Sequence, residues 1–318
     1  MKLREVHRLS DEQRFCFAAD FHPQGEMIVL IDDLCGEDGQ PCVRGWSLSS
    51  MEWLDDLGIK ATYPIESLKW HPDGELIALG GKRSEQEDTI TLFSTKKHKK
   101  VATFTYTSIE EPTFLCDMRF SQDGSQLISA HDGGALIVWD VENKKKAYQR
   151  EPDNTEQIAP HCSGGSWTCL GQLSELRVLD NTLEDVHIVF GYEDQEDTYA
   201  QVQCADEQTL LLFAMFDPML RWVSIEDGSV KKELFLEDAK GFQWMMELAS
   251  LSPDQSLLAA ISEEGELGLW ELESGKKIFS QVLETQEEPC FVRFSPDGTK
   301  LLSYGFDTRL WEIESSNE

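Results

Sequence analysis

The sequence predicts an all-β fold, a seven-bladed β-propeller of four-stranded antiparallel blades, and three observations lead to it. A short turn sequence recurs along the chain: FHPQG at 21–25, WHPDG at 70–74, FSQDG at 120–124, LSPDQ at 251–255 and FSPDG at 294–298. Each copy lies between two short β-branched or aromatic runs, the second being MIVLI, LIALGG, LISA, LLAAI or LLSYG. A third run follows each of them and carries an aromatic or aliphatic residue, often beside an acid.

The turn has a direct physical reading. Pro presets φ at one central position, Asp or Ser bonds its own backbone, and Gly accepts φ > 0 at the end, so the motif joins two strands as a hairpin. Two degenerate copies, HCSGGSWTCLG near 165 and CADEQTLLLFAM near 208, fill the gap between the third and fourth clear ones and bring the total to seven. The third strands read RGWSL, TITLFS, LIVWD, LRVLD, LRWVS, LGLWE and TRLWE. A turn and a fourth strand come next, clearest in KKHKKVATF, ENKKKAYQR, EDGSVKKELF and ESGKKIF. Four short strands per unit, repeated at this spacing, describe propeller blades rather than a sandwich. The blades fall at about 10–55, 56–106, 107–151, 152–191, 192–237, 238–283 and 284–318.

The last copy stops after its third strand, TRLWE, and a polar tail. An open ring would expose blade faces and strand edges. The N-terminal LREVHRL at 3–9 precedes the first strand RFCFAAD and has no other role, so it is expected to supply the missing outer strand of the seventh blade. The chain then reads as one domain over 1–318.

The paired signatures FSQDG…LIVWD and FSPDG…TRLWE resemble the WD-repeat family, and the resemblance covers essentially the whole chain. It implies a seven-bladed propeller, closure by a swapped strand, and work as a platform for other proteins. No copy has the Gly-His dipeptide that usually opens such a repeat. The acid that would accept a bond from that His is matched only at Asp132, Asp307 and Glu264, so a His-centred network within the blades is not expected. Packing of Trp139, Trp222, Trp270 and Trp311 between blades is expected to carry that share of the stability.

Composition narrows function. The chain has 318 residues, 40% of them hydrophobic, with 9 Trp, which suffices for a large core. It contains no apolar run of membrane-spanning length, and MKLREVHRLSDEQR is too polar for a signal peptide, so a cytoplasmic or nuclear location is the expectation. The 59 acidic residues against 28 basic ones give a formal charge of −31, which repels nucleic acid and anionic lipid and attracts basic protein partners. Most of the eight Cys sit singly in apolar runs and read as reduced, buried thiols, while Cys35 and Cys42 bracket one loop where a redox or metal role stays open.

In this topology the connections from fourth to first strand and from second to third share one end, the top. Those connections read YTSIEEP, REPDNTEQ, GYEDQEDTY, LEDAKG, LETQEEP, CGEDGQP and KRSEQED, rich in acid, whereas the turns between third and fourth strands, on the bottom, hold Lys96, Lys97, Lys99, Lys100, Lys144 to Lys146, Lys231, Lys232, Lys276 and Lys277. The candidate partner-binding set on the top is Glu110, Glu111, Phe114, Glu193, Asp194, Glu196, Asp197, Tyr199, Phe216, Phe242, Trp244, Met245, Tyr304 and Phe306, acids to recruit a basic partner and aromatics to anchor it.

The same aromatics leave open a cage that reads modified lysine. An enzyme would need groups around the channel mouth, where His131 beside Asp132 and Arg14 is one polar cluster, but no GxSxG, HExxH, phosphate-loop or GxGxxG motif occurs. His22 and His71 take the turn position that Ser holds elsewhere and read as turn variants. The expectation is a non-catalytic scaffold in a multiprotein complex, with no cofactor and no metal.

Overall fold

The computed structural model describes residues 2–9, 15–32, 41–54, 57, 59, 63–108, 113–132, 135–150, 155–160, 166–171, 175–190, 199–214, 218–239, 249–262, 264–283, 291–305 and 307–314. These residues form seven antiparallel four-stranded sheets and no helix. Blade 1 holds β2 (Cys16–Phe21), β3 (Met27–Asp32), β4 (Cys42–Ser47) and the short β5 (Glu52–Trp53). Blade 2 holds β6 (Ser67–Trp70), β7 (Leu76–Ser84), β8 (Glu87–Ser94) and β9 (Lys99–Thr107). Blade 3 holds β10 (Leu115–Phe120), β11 (Gln126–His131), β12 (Leu136–Asp140) and β13 (Lys145–Arg150).

The two degenerate copies are complete blades: β14 (Thr155–Pro160), β15 (Ser166–Gly171), β16 (Leu176–Asp180) and β17 (Asp185–Phe190) make blade 4, and β18 (Tyr199–Asp206), β19 (Thr209–Ala214), β20 (Met219–Ser224) and β21 (Val230–Phe235) make blade 5. Blade 6 holds β22 (Ala249–Leu251), β23 (Leu257–Ile261), β24 (Glu266–Glu271) and β25 (Lys277–Val282). Blade 7 holds β26 (Phe291–Phe294), β27 (Lys300–Tyr304) and β28 (Arg309–Glu314), and its outer strand is β1 (Lys2–Arg8).

Among the described residues the core is not one mass but seven clusters, each straddling two neighbouring blades. Strand alternation explains it. Along β23, Leu258 and Ala260 face blade 5 while Leu257, Ala259 and Ile261 face blade 7. Along β19, Leu210 and Leu212 face blade 4 while Leu211 and Phe213 face blade 6. A blade in a ring has both faces covered, so its inner strands are apolar at successive positions rather than at every second one. That is why LLAAI and TLLLFA contain almost no polar residue.

One position on each third strand faces the preceding blade: Trp46, Phe93, Trp139, Leu179, Val223, Trp270 and Trp311. In blades 2 to 6 a register shift against the fourth strand falls beside it. Trp222 is the exception among the expected core tryptophans. It comes one residue before that position, where period 2 turns it to the other face. It is half-buried against the blade 5–6 cluster, with the Lys232 ammonium 4.3 Å from its ring centre.

β1 closes the ring by pairing antiparallel with β28, Lys2 opposite Glu314 through to Arg8 opposite Arg309. Its side chains divide between neighbours: Leu3 packs into the blade 6–7 cluster, Val6 and Leu9 into the blade 7–1 cluster. His7 lies on the Trp46 ring of blade 1 with centroids 4.4 Å apart.

Candidate interaction surfaces

Charged residues on the innermost strands stitch neighbouring blades around the channel. Arg293 of β26 donates to Asp20 of β2 at 3.1 Å, joining blades 7 and 1. Asp117 of β10 accepts the Ile158 N–H at 3.1 Å, and Arg119 donates to the Ile158 carbonyl at 3.2 Å, joining blades 3 and 4.

The turn histidines do the same work at the bottom. The His22 Nε2–H donates to the Gly74 carbonyl at 3.1 Å and the His71 Nε2–H to the Gly124 carbonyl at 2.9 Å, so each ring reaches the next blade's turn. The His22 Nδ1 accepts the Gln24 backbone N–H at 3.3 Å, whereas the His71 Nδ1 lies 2.7 Å from an Asp73 carboxylate oxygen. A Cβ at Gly74 or Gly124 would collide with the ring it receives, and both glycines have φ near +75°, at +76° and +73°. These two are inter-blade ties, not merely turn variants.

A His-centred network is present after all, assembled without the Gly-His dipeptide that usually opens a WD repeat. The Trp139 indole N–H donates to Ser129 Oγ at 2.9 Å, Ser129 donates to His131 Nε2 at 2.9 Å, and His131 Nδ1–H donates to Asp88 at 2.7 Å. Thr113 donates to the same Asp88 oxygen at 3.0 Å. The chain of bonds fixes the His131 tautomer and runs from blade 3 into blade 2. His131 therefore turns inward, away from Asp132, whose backbone N–H donates to the Phe114 carbonyl at 2.9 Å. Ser, His and Asp in this order have the connectivity of a nucleophilic triad. Ser129 and His131 are 0% and 2% exposed, however, and the Ser129 oxygen already receives the indole, so the set buttresses the blades.

Blade 7 carries the matching indole bond, Trp311 to Ser303 at 2.9 Å, without a histidine. Its Asp307 instead accepts from Arg8 at 2.8 Å and from Arg309 Nε at 2.6 Å, and Arg309 also donates to Glu5 at 2.8 Å. Burial pushes the Asp307 carboxyl up, but the two guanidinium partners outweigh it and hold it below the usual range. Trp270, fully buried, donates to the Glu237 carbonyl at 2.8 Å.

Of the expected top-face residues, Phe114 is described and 47% exposed, ahead of β10. Tyr304 is not a surface residue: it is 0% exposed in the blade 7–1 cluster, its ring 5.2 Å from Phe291, because a second strand has both faces covered. Glu110, Glu111, Glu193, Asp194, Glu196, Asp197, Phe216, Phe242, Trp244, Met245 and Phe306 lie outside the described residues, as does the Tyr199 side chain. Sequence reasoning missed Phe17, 44% exposed at the top of β2 with its ring 5.0 Å from Phe15. The signal was the alternation in RFCFAAD, with Phe15 and Phe17 flanking buried Cys16.

Cys42, one of the two cysteines whose role the sequence left open, is disulfide-bonded. Cys16, Cys116 and Cys169 are thiols rather than half-cystines, and burial pushes the Cys16 thiol well above its ordinary value, as suits an inert core group.

The bottom is not uniformly basic. The lysines of the third-to-fourth-strand turns share it with acids of the hairpin turns, such as Asp123, Asp254 and Asp297. Hydroxyl donors cap these acids: Ser121 to Asp123 at 2.7 Å, Ser252 to Asp254 at 2.6 Å and Ser295 to Asp297 at 2.6 Å. Between blades 1 and 2 the bottom opens into a groove of about 640 Å³.

A family model described as "WD domain, G-beta repeat" matches residues 100–140. The matched span runs through β9, β10, β11 and β12, so the sequence unit is offset by one strand from the structural blade. The same offset leaves β1 to complete blade 7. A search of curated proteins found no match.

Proposed function

The chain is a seven-bladed propeller of the WD-repeat family, and from that premise we propose that it is a scaffold whose top recruits a basic protein or peptide within a larger cytoplasmic or nuclear assembly. Propellers of this family generally serve as protein–protein interaction scaffolds and are typically non-enzymatic.

The sequence supports the polarity. By the order of strands, the connections leading into first strands and those between second and third strands belong to the same end, and they contain roughly half of the chain's 59 acidic residues. Their basic residues are Arg14, Lys60 and Lys240, with Lys82, Arg83 and Arg150 at the strand ends beside them. Such a concentration of one sign steers an oppositely charged partner and fixes which end it meets. Exposed Phe17 and Phe114, at the top ends of their strands, add apolar area for contact once the partner arrives. The ring of blades supplies rigidity, so recognition costs little ordering of the scaffold.

The test is binding of a fluorescein-labelled decalysine peptide, followed by anisotropy. Affinity should fall steeply as salt shortens the Debye length, and replacing Glu193, Asp194, Glu196 and Asp197 together by Lys should abolish it. Binding indifferent to both would overturn the reading.

A further inference from the structure

The groove on the bottom owes its shape to blade 1's outer strand. β5 is two residues long, so the chain leaves the sheet at Leu54, whose N–H donates to the Gly45 carbonyl at 2.9 Å. Leu54 and Leu57 then fold over Gly45, with their methyl groups 3.0 to 3.2 Å from where a Cβ would stand, so a larger residue there would displace them. Together with half-buried Met27 they form an apolar floor.

The rim is acidic. Glu26, Asp73 and Glu75 are all exposed around this floor. Among the described residues of the lining the one lysine, Lys96, is bonded to Glu75 at 3.2 Å. His98 closes one wall by donating from Nδ1 to the Leu57 carbonyl at 3.2 Å. An apolar floor inside a ring of carboxylates suits an apolar side chain carried between cations, and the volume lies within the range of ordinary ligand pockets.

We infer that this groove is a second docking site, which takes a short segment of a partner protein bearing a large apolar side chain flanked by Lys or Arg. The apolar side chain covers Leu54 and Met27 while its neighbours pair with Glu26 and Asp73. The groove is at the end opposite the connections invoked above, so the inference stands independently of that reading. A propeller holding partners at both ends can bring two proteins together.

The experiment measures anisotropy of three fluorescein-labelled hexapeptides: Lys-Arg-Leu-Phe-Arg-Lys, the same with Gly-Ser in place of Leu-Phe, and Glu-Glu-Leu-Phe-Glu-Glu. The first should bind roughly tenfold or more tightly than either control, because only it offers both the apolar anchor and the charge. The double variant Glu26→Lys with Glu75→Lys, at two exposed positions and checked by thermal melting, should weaken it by a similar factor. In the top variant, with Lys at 193, 194, 196 and 197, where the other end no longer attracts cations, the preference for the first peptide over the Gly-Ser control and its loss in the groove variant should both persist. Equal binding of the first two peptides, indifference to the groove variant, or loss of that preference in the top variant would each overturn the inference.

Discussion

Blades 3 and 7 carry the clearest copies of the repeat, and they fasten the same tryptophan by different chemistry. In both, an indole N–H donates to a serine on the second strand at 2.9 Å. In blade 3 the serine passes the bond to a sealed histidine and on to Asp88 of the preceding blade. In blade 7 the polar role falls to Asp307 near the rim, clamped by Arg309 of its own third strand and by Arg8 of β1. The difference teaches that the blade needs a polar tie beyond its apolar faces, and that the tie's chemistry is negotiable. Blade 3 uses it to grip its neighbour; blade 7 uses it to grip the strand that closes the ring.

Breaking closure should have the largest effect. Deleting residues 1–9 removes Leu3 and Leu9 from two clusters and bares the edge of β28. The loss should be on the order of 5 kcal/mol or more, a domain's whole margin, and appear as aggregation or a collapsed melting temperature. A deletion that melts like the full chain would refute the latch.

Next comes His131→Ala, which leaves buried Asp88 with the Thr113 hydroxyl but without the imidazole. A loss of about 3–5 kcal/mol is expected from chemical denaturation. Less than about 1 kcal/mol would mean that the network contributes no more than an exposed pair.

The smallest effect sharpens the contrast in blade 7. Asp307→Asn should cost about 1.5–3 kcal/mol at neutral pH by weakening charge-assisted bonds. Because the native carboxyl is held below its unfolded value of about 3.9, its contribution is complete above that pH and drains away as pH falls through the native value. The gap between variant and parent melting temperatures should therefore narrow as pH falls below about 3.9, toward pH 2. A gap constant from pH 7 to 2 would show that Asp307 acts through shape, not charge.

Much of the fold was legible because its signals are local. A hairpin turn needs Pro, Asp and Gly at adjacent positions, so five blades announced themselves through it, and β1 followed from the strand missing at the other end. Trp222 packs toward the following blade rather than the preceding one for a legible reason: LRWVS sets Trp one residue earlier than LIVWD, and one residue changes the face. The Asp88–His131 bond was not legible, since its two ends sit in different blades and Asp88 is the second residue of a strand whose sequence, EDTITLFS, marks nothing special. Tyr304 looked like a loop aromatic because sequence cannot say that a strand end is still covered on both sides.

By itself, then, the sequence determined what depends on neighbours along the chain: strands, turns, their sevenfold recurrence, and the sign of the charge in each connection. Tertiary structure alone decided what depends on neighbours across blades. Among these are the inter-blade reach of His22 and His71, the burial of the Ser–His–Asp set, and the apolar groove left where β5 stops short. Each arises where two segments distant along the chain meet, and that meeting is created only when the ring closes.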